Sequence, residues 1–341
     1  MKPICIRLLR SALVGMLLCV FGQPASAQEF MQQYCVPSEA ADPQALHING
    51  AKPFIYKTVD DVALRLHVFN SAARQPGEKA PAVIFYFGGG WIIGDIRRFQ
   101  TQATHLALRG IVTILVDYRV KCRHRSSMMD SVADAKSAMR WVHEHAGDFG
   151  IDTNRIAAVG SSAGAHLALA TALYPDAVTA TKRQEMDFRP DALILYNPAL
   201  DTSSPEVVQN IARYVGGEDA ERGRAFSPLE HLDKGLPPTI IFQGTADTST
   251  PPKKAEIFCE EAKERGAPCE VVLYPGAPHG FTEIWMGLED PSVGVKAEYW
   301  AADTSRRTDA FLAALGWLPG DENSADGTAA SCECAAPRSG H

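Results

Sequence analysis

The sequence has 341 residues and a formal net charge of −7 at neutral pH, with acidic and basic residues interspersed. This pattern offers no basic stripe for nucleic acid and no polybasic patch for a membrane surface. The expected partner is therefore a small or neutral molecule, and the length fits one α/β domain with a single hydrophobic core.

The first residues predict an export signal that is cleaved. Basic residues precede the apolar run Ala12–Phe21, and Ala25-Ser26-Ala27 offers an A-x-A cleavage site. A membrane anchor is the alternative, but the run is shorter than the roughly 20 apolar residues that span a bilayer. We therefore expect residues 1–27 to be removed, and the mature chain to be secreted or periplasmic with no membrane contact.

Cysteines in an exported chain can form disulfides. Cys259 lies on the apolar stripe of a charged helical segment, and Cys269 opens the strand that follows. A bridge between them and two buried thiols are equally compatible with the sequence. No paired cysteine or histidine spacing predicts a zinc site. The pairing of the other cysteines stays open, and they are Cys35, Cys122, Cys332 and Cys334.

In chain order, residues 28–53 are predicted to form an arm over the surface. Phe54–Val59 and Val62–Asn70 carry the alternation of an antiparallel hairpin at a sheet edge. The continuous apolar run Ala82–Phe87 is typical of a strand buried on both faces. Strands and helices then alternate, which predicts a mostly parallel sheet flanked by helices. The further predicted strands are Ile111–Asp117, Arg155–Val159, Ala192–Tyr196, Thr239–Phe242 and Glu270–Tyr274, and the predicted helices are Arg97–Arg109, Met128–Ala146, the segment from Ser162 to Leu173, Lys253–Arg265 and Ala297–Leu315.

Two segments fall outside this alternation. Asn197–Pro238 is long for a connection between a strand and a helix, and is predicted to form a short cap over the strand ends. The tail Gly320–His341 is small and polar, and is predicted to be disordered. The domain itself is thus expected to span residues 28–319, with residues 197–238 as the cap.

A serine stands between a predicted strand and an alanine-rich helix. Gly160-Ser161-Ser162-Ala163-Gly164 is a G-x-S-x-G motif, in which the glycines leave room for a sharp turn. The turn holds the Ser162 hydroxyl above the sheet, where the amides of the following helix can meet negative charge. This arrangement suits nucleophilic attack by Ser162. His166, one turn into the helix, is predicted to be a packed histidine that is satisfied by a hydrogen bond.

A serine nucleophile needs a base and a carboxylate that orients the base. Asp247 follows one predicted strand and His279 follows the next, and the carboxyl ends of parallel strands meet at one edge of a sheet. Either residue alone is more often an ordinary loop residue. Together, and in the order serine, aspartate, histidine, they predict a triad of Ser162, Asp247 and His279.

A glycine run after the first buried strand supplies accessible backbone amides. Gly88-Gly89-Gly90 and the residue after the nucleophile, Ala163, can together form an oxyanion hole. A phosphate loop is the alternative, but no Lys-Ser/Thr pair follows the glycines, and no acidic residue stands where a dinucleotide site needs one. No cofactor is therefore expected.

Five motifs carry a resemblance to the hormone-sensitive-lipase-like branch of α/β-hydrolase esterases, over about Tyr56–Phe281. They are FGGGWIIGD (Phe87–Asp95), DYRV (Asp117–Val120), GSSAG (Gly160–Gly164), GTADTSTP (Gly244–Pro251) and HGF (His279–Phe281). Within this branch the chain is most similar to exported bacterial carboxylesterases and acetyl esterases with a short cap.

The resemblance implies the α/β-hydrolase fold and assigns a role to each candidate site residue. Ser162 would be the nucleophile, Asp247 the acid and His279 the base, and the oxyanion amides would be those of Gly89, Gly90 and Ala163. The family usually has histidine where this chain has Phe87, so the support of the glycine loop is left without an explanation.

These observations predict an exported carboxylesterase for short-chain esters, with acetyl esters as the expected substrates. Because the cap is short and Trp91 adjoins the glycine loop, we also expect an open rim that admits an acetylated carbohydrate. A serine peptidase of the same fold is one alternative, although such enzymes usually carry a propeller domain for which this chain has no room. A binding protein that has lost catalysis is the other.

Overall fold

The computed structural model describes residue 35 and residues 47–71, 77–174, 188–203, 225–282 and 291–319. The predicted leader (1–27), most of the predicted arm and the predicted disordered tail (320–341) lie outside the described residues. So does the part of the predicted cap between residues 203 and 225.

The described residues form one eight-stranded sheet. Its strands are β1 (Lys52–Val59), β2 (Val62–Phe69), β3 (Ala80–Tyr86), β4 (Val112–Val116), β5 (Ile151–Ser161), β6 (Ala192–Tyr196), β7 (Thr239–Gly244) and β8 (Cys269–Tyr274). Their order across the sheet is β1-β2-β4-β3-β5-β6-β7-β8. The predicted edge hairpin is confirmed, because β1 pairs antiparallel with β2, and β2 pairs antiparallel with β4. From β4 to β8 all pairings are parallel.

Helices connect the strands, as the sequence predicts. They are α1 (Gln100–Leu108), α2 (Lys121–His124), α3 (Met128–Glu144), α4 (Ala146–Phe149), α5 (Ala163–Leu173), α6 (Pro252–Glu264) and α7 (Pro291–Ala314). Every residue of β3, β4, β6 and β7 is buried, which is typical of parallel strands that are covered on both faces. No helix of the described residues is long and apolar enough to cross a membrane.

Several element boundaries differ from the prediction, most of all that of α7, which begins at Pro291 and not at Ala297. The segment Arg97–Arg109 is not one α-helix, because a short 3-10 helix, Ile96–Phe99, precedes α1. Strand β5 begins at Ile151 and not at Arg155, since Ile151 already pairs with Ala80 of β3. The polar residues between Ile151 and Arg155 hide this start in the sequence, because they have the composition of a turn.

Two disulfides link cysteines among the described residues. Cys259 of α6 is bonded to Cys269 at the start of β8, so the structure contains the bridge rather than two buried thiols. Cys35 of the arm is bonded to Cys122 of α2, across a separation of 87 residues. This second bridge attaches the arm beside the segment that follows the glycine loop, because Lys121 and Cys122 donate backbone hydrogen bonds to the carbonyls of Trp91 and Ile92.

Candidate active site

Ser162 lies at a strained corner between β5 and α5. Its φ and ψ are 53° and −118°, outside the usual regions for a residue with a side chain. The turn is possible because the flanking glycines allow close approach. A Cβ at Gly160 would lie 2.2 Å from the carbonyl oxygen of Gly164, and a Cβ at Gly164 would lie 2.1 Å from that of Tyr86. The predicted serine corner is thus present in the structure.

The structure brings the three predicted triad residues together. His279 Nε2 lies 3.0 Å from Ser162 Oγ, and His279 Nδ1 lies 2.8 Å from Asp247 Oδ2. Asp247 is buried, whereas the side chain of His279 keeps 27% of its surface exposed. The imidazole therefore stands between a buried carboxylate and a hydroxyl, and part of its surface is exposed.

Both oxygens of the Asp247 carboxylate accept several hydrogen bonds. Oδ1 accepts the backbone N–H groups of Ser249 and Thr250, at 2.9 and 2.8 Å. Oδ2 accepts the Thr250 hydroxyl at 2.8 Å and the Gln243 amide at 3.1 Å, in addition to His279. Burial by itself raises the pKa of Asp247, but His279 and the Thr250 donors outweigh it and hold the pKa below its ordinary value.

The loops that carry Asp247 and His279 contact each other directly. Ala246 donates a backbone hydrogen bond to Ala277 at 3.0 Å, and Gly276 donates to the Thr245 hydroxyl at 2.8 Å. Gly244 makes this contact possible, because a Cβ there would lie 2.2 Å from the Ala277 carbonyl oxygen. Asp247 and His279 are thus positioned as one unit at the ends of β7 and β8.

The predicted oxyanion residues lie in a tight loop after β3 and at the start of α5. Gly89 and Gly90 have φ values of 133° and 64°, and a Cβ at Gly89 would lie 2.0 Å from the Ile93 carbonyl oxygen. The loop closes on itself, because Ile92 and Ile93 both donate to the Gly89 carbonyl at 3.1 Å. Ala163 is the first residue of α5, where an amide has no acceptor inside the helix.

Phe87 supports the glycine loop by stacking. Its ring lies 4.0 Å from the ring of Tyr118, with an angle of 13° between the planes. The Tyr118 hydroxyl also donates to the Phe87 carbonyl at 2.6 Å, and both side chains are buried. This pair answers the question that the sequence raised, since an aromatic stack stands where the family usually has a histidine. Tyr118 is the tyrosine of the DYRV motif, so this motif is the sequence feature that could indicate how the glycine loop is supported.

The two remaining aromatic candidates are both buried. Trp91 is only 7% exposed, and its ring lies edge-on against His166 with the centroids 5.1 Å apart. The expectation that Trp91 forms part of an open rim is therefore wrong. His166 is fully buried, and its Nε2 lies 2.8 Å from the Phe226 carbonyl oxygen, which confirms the predicted packed histidine.

The geometry can activate a hydroxyl. A neutral His279 that donates its Nδ1–H to Asp247 presents the lone pair of Nε2 to Ser162 Oγ, and can take its proton during attack on a carbonyl carbon. Ordered amides near the start of α5 and in the glycine loop can then oppose the charge on the former carbonyl oxygen. Acyl transfer is the chemistry for which this arrangement is suited.

Comparison with known proteins gives the family. Residues 71–261 match the BD-FAE family, which covers more than half of the chain. The chain belongs to the BD-FAE family of α/β-hydrolases. This membership confirms the predicted fold class and the resemblance to α/β-hydrolase esterases.

Relatives of this BD-FAE chain have names that agree with the predicted enzyme class, carboxylic ester hydrolase. It is 32% identical over 239 residues to esterase LipC of Mycobacterium tuberculosis, which covers 65% of this chain and 58% of that protein. It is 31% identical over 232 residues to a probable isoprenylcysteine alpha-carbonyl methylesterase of Arabidopsis thaliana, covering 63% of this chain and 47% of that protein. The chain thus spans about half the length of the curated relatives it matches.

A solved bacterial esterase is similar over almost its whole length. Esterase 2 of Thermogutta terrifontis with bound propionate is 37% identical, with a TM-score of 0.70, and the match covers 80% of this chain and 97% of that one. The same esterase phosphorylated by paraoxon is 36% identical, with a TM-score of 0.68 and coverage of 81% and 98%. The BD-FAE chain therefore shares the fold of an esterase across the whole solved domain.

Proposed function

We propose that this protein is an exported serine carboxylesterase that hydrolyses short-chain esters. The observation that carries the proposal is the position of His279, which lies 3.0 Å from Ser162 Oγ and 2.8 Å from Asp247 Oδ2. In this proposal Ser162 is the nucleophile, His279 the general base and Asp247 the acid that orients it.

The mechanism follows from the geometry. His279 Nε2 takes the Ser162 proton as Oγ attacks the ester carbonyl, and Asp247 stabilises the imidazolium that forms. The amides of Gly89, Gly90 and Ala163 stabilise the tetrahedral oxyanion. His279 then protonates the departing alcohol, an acyl group remains on Ser162, and water repeats the sequence to release the acid.

Short acyl chains are the proposed substrates. The solved esterase that resembles this chain has been observed with propionate and with butyrate, which supports a small acyl group. Acetyl esters fit the same class. Carbohydrate deacetylation, the other expectation from the sequence, loses one of its supports because Trp91 is buried and offers no platform to a sugar ring.

Export is part of the proposal. Residues 1–27 have the pattern of a cleaved signal, and the two disulfides are typical of chains that mature in an oxidising compartment. Peptide sequencing of the secreted or periplasmic protein tests this part directly. A chain that begins at Gln28 is expected, and a cytoplasmic chain that keeps Met1 would contradict it.

The function is tested with p-nitrophenyl acetate, butyrate and octanoate. We expect acetate and butyrate to be cleaved faster than octanoate, and Ser162→Ala to lose activity by a factor of about 1,000 or more. Ser161→Ala is the matched control, because Ser161 is the neighbouring buried serine and its Oγ accepts from Asn197 Nδ2 at 3.3 Å and not from His279. Equal loss in both variants, or retained activity in Ser162→Ala, would contradict the assignment.

Two further substrates, a peptide p-nitroanilide and acetylated xylan, separate the alternative functions. A serine peptidase would cleave peptide p-nitroanilides faster than the acetate ester, and a binding protein without catalysis would cleave neither. Release of acetate from acetylated xylan at a rate comparable with that of the small ester would restore the carbohydrate substrate.

A further inference from the structure

Gln243 lies at the end of β7, behind the carboxylate of Asp247. The residue is only 1% exposed. Its Nε2 lies 3.1 Å from Asp247 Oδ2 and 3.0 Å from the Thr250 carbonyl oxygen, with the Gly244 carbonyl oxygen at 3.3 Å. A primary amide has two N–H groups, so this nitrogen can hold the carboxylate with one of them and a loop carbonyl with the other.

The position of Gln243 differs from that of the other donors to Asp247. Ser249 and Thr250 donate from the same loop as the carboxylate, and therefore move with it. Gln243 belongs to a strand that is buried between two neighbouring strands. Its amide thus ties the acid loop to the rigid sheet, at the oxygen that also meets His279.

The Thr250 hydroxyl cannot replace this tie. It carries a single hydrogen, and two acceptors lie near it: Asp247 Oδ2 at 2.8 Å and the Asn197 carbonyl oxygen at 3.1 Å. Its own backbone also lies in the acid loop. Gln243 keeps a second N–H for a carbonyl oxygen of that loop, with Thr250 at 3.0 Å and Gly244 at 3.3 Å, and this contact fixes the orientation of its amide group.

We propose that Gln243 is a positioning residue for hydrolysis: it acts through Asp247, holding Oδ2 where His279 Nδ1 can donate to it. This inference rests on the proposed roles of Ser162, Asp247 and His279. Gln243 Nε2 and His279 Nδ1 contact the same oxygen of Asp247, so the effect of losing the Gln243 amide should be read out at the imidazole.

The test replaces the amide by an apolar group of similar length. Gln243→Met should lower kcat on p-nitrophenyl acetate by about 10- to 100-fold, because a small displacement of the acid misplaces the base. KM should change by less than about twofold, since Gln243 does not touch the substrate. The acid limb of the kcat/KM profile should move, because the Gln243 amide and the His279 imidazole contact the same oxygen of Asp247.

Thr239→Val is the matched control. Thr239 lies at the other end of the same strand, is 2% exposed, and donates to the Pro237 carbonyl at 2.7 Å. This variant also removes a buried hydrogen bond from β7, but far from the triad. Its kcat should stay within about twofold of the wild type, with an unmoved acid limb. Equal kinetic changes in the two variants, or a Gln243→Met profile with an unmoved limb, would overturn the positioning role.

A second variant covers failure of Gln243→Met to fold. Gln243→Glu keeps the size of the side chain, but the introduced carboxyl can donate to Asp247 only while it is protonated. Its kcat relative to the wild type should therefore fall as the pH rises, and a ratio that is flat with pH would overturn the inference. Retained activity in Ser162→Ala would instead overturn the proposed triad itself, so the two failures are distinguishable.

Discussion

Gly164 packs against the end of β3 so closely that a Cβ at this position would lie 2.1 Å from the carbonyl oxygen of Tyr86. The Phe87 carbonyl oxygen would be almost as close, at 2.3 Å. The first turn of α5 therefore rests on the segment that leads into the glycine loop. One contact sets the distance between the Ser162 corner and the loop that carries Gly89 and Gly90.

Gly164→Ala should therefore damage both stability and activity. The added methyl group meets backbone atoms that cannot rotate away, so α5 or the end of β3 must shift. We expect a loss of about 2 kcal/mol in the free energy of unfolding and a Tm lower by about 5 °C. Gly147→Ala is the control, because nothing lies within 4 Å of a Cβ there. A Gly164 variant as stable and active as the Gly147 variant would contradict the packing described.

Tyr118→Phe should loosen the glycine loop without removing the stack on Phe87. The lost hydroxyl leaves the buried Phe87 carbonyl without its 2.6 Å donor. We expect kcat to fall by about tenfold with KM nearly unchanged, since the oxyanion amides act in the transition state. Tyr56→Phe is the control, because the Tyr56 hydroxyl also donates to a buried carbonyl, that of Asp117 at 2.7 Å, and Asp117 directly precedes Tyr118 in the chain. Equal losses in both variants would show a general effect of packing.

His166 should make the protein less stable as the pH falls. Burial lowers the pKa of His166 to about 4 in the folded protein, while the hydrogen bond with Phe226 acts in the opposite direction. In the unfolded chain the ordinary pKa is about 6.5, so between these values the unfolded chain binds the extra proton. Stability should therefore drop by up to about 1.4 kcal/mol for each pH unit below 6.5.

The measurement is Tm against pH for the wild type and His166→Gln, which can still donate to the Phe226 carbonyl. The wild-type curve should be steeper between about pH 6.5 and pH 4, and the two curves should run parallel above this window. Parallel curves throughout would show that His166 does not carry the effect.

The two disulfides should be detectable by peptide mapping, and they should differ in how much each one stabilises the folded protein. A peptide map without reductant should show Cys259 linked to Cys269 and Cys35 linked to Cys122. In the loop-closure description, loss of the shorter bridge costs about 2 to 3 kcal/mol and loss of the longer one about 4 to 5 kcal/mol. Paired serine substitutions followed by urea unfolding check these values. Alkylation of all four cysteines in the absence of reductant would contradict both bridges.

Much of this architecture could be predicted because its signals are local. Ser162, Asp247 and His279 each follow a short apolar strand, and parallel strands bring their carboxyl ends to one edge of a sheet. The edge hairpin and the order of the triad are recognisable for the same reason. The three residues of the proposed triad are thus placed by strand pattern and motif alone.

The remaining features depend on contacts that the local sequence does not encode. Cys35 and Cys122 are 87 positions apart, and no spacing rule pairs them. Trp91 looked like a rim residue, but it has a positive φ of 61° and its ring packs on His166. Gln243 is not among the predicted site residues, although a polar residue at the end of an apolar strand indicates a buried hydrogen-bond partner.

The direct test of the account is to find which residue an organophosphate modifies. Paraoxon transfers its diethylphosphoryl group to an activated serine, and peptide mass spectrometry locates the adduct. We expect one diethylphosphoryl group per chain, on Ser162, and a loss of activity in proportion to the labelling. We expect no adduct on the Ser162→Ala variant, and none on wild-type protein that is unfolded by acid before paraoxon is added. An adduct on Ser161 or on another residue, or full activity in the labelled protein, would contradict the assignment of Ser162 as the nucleophile.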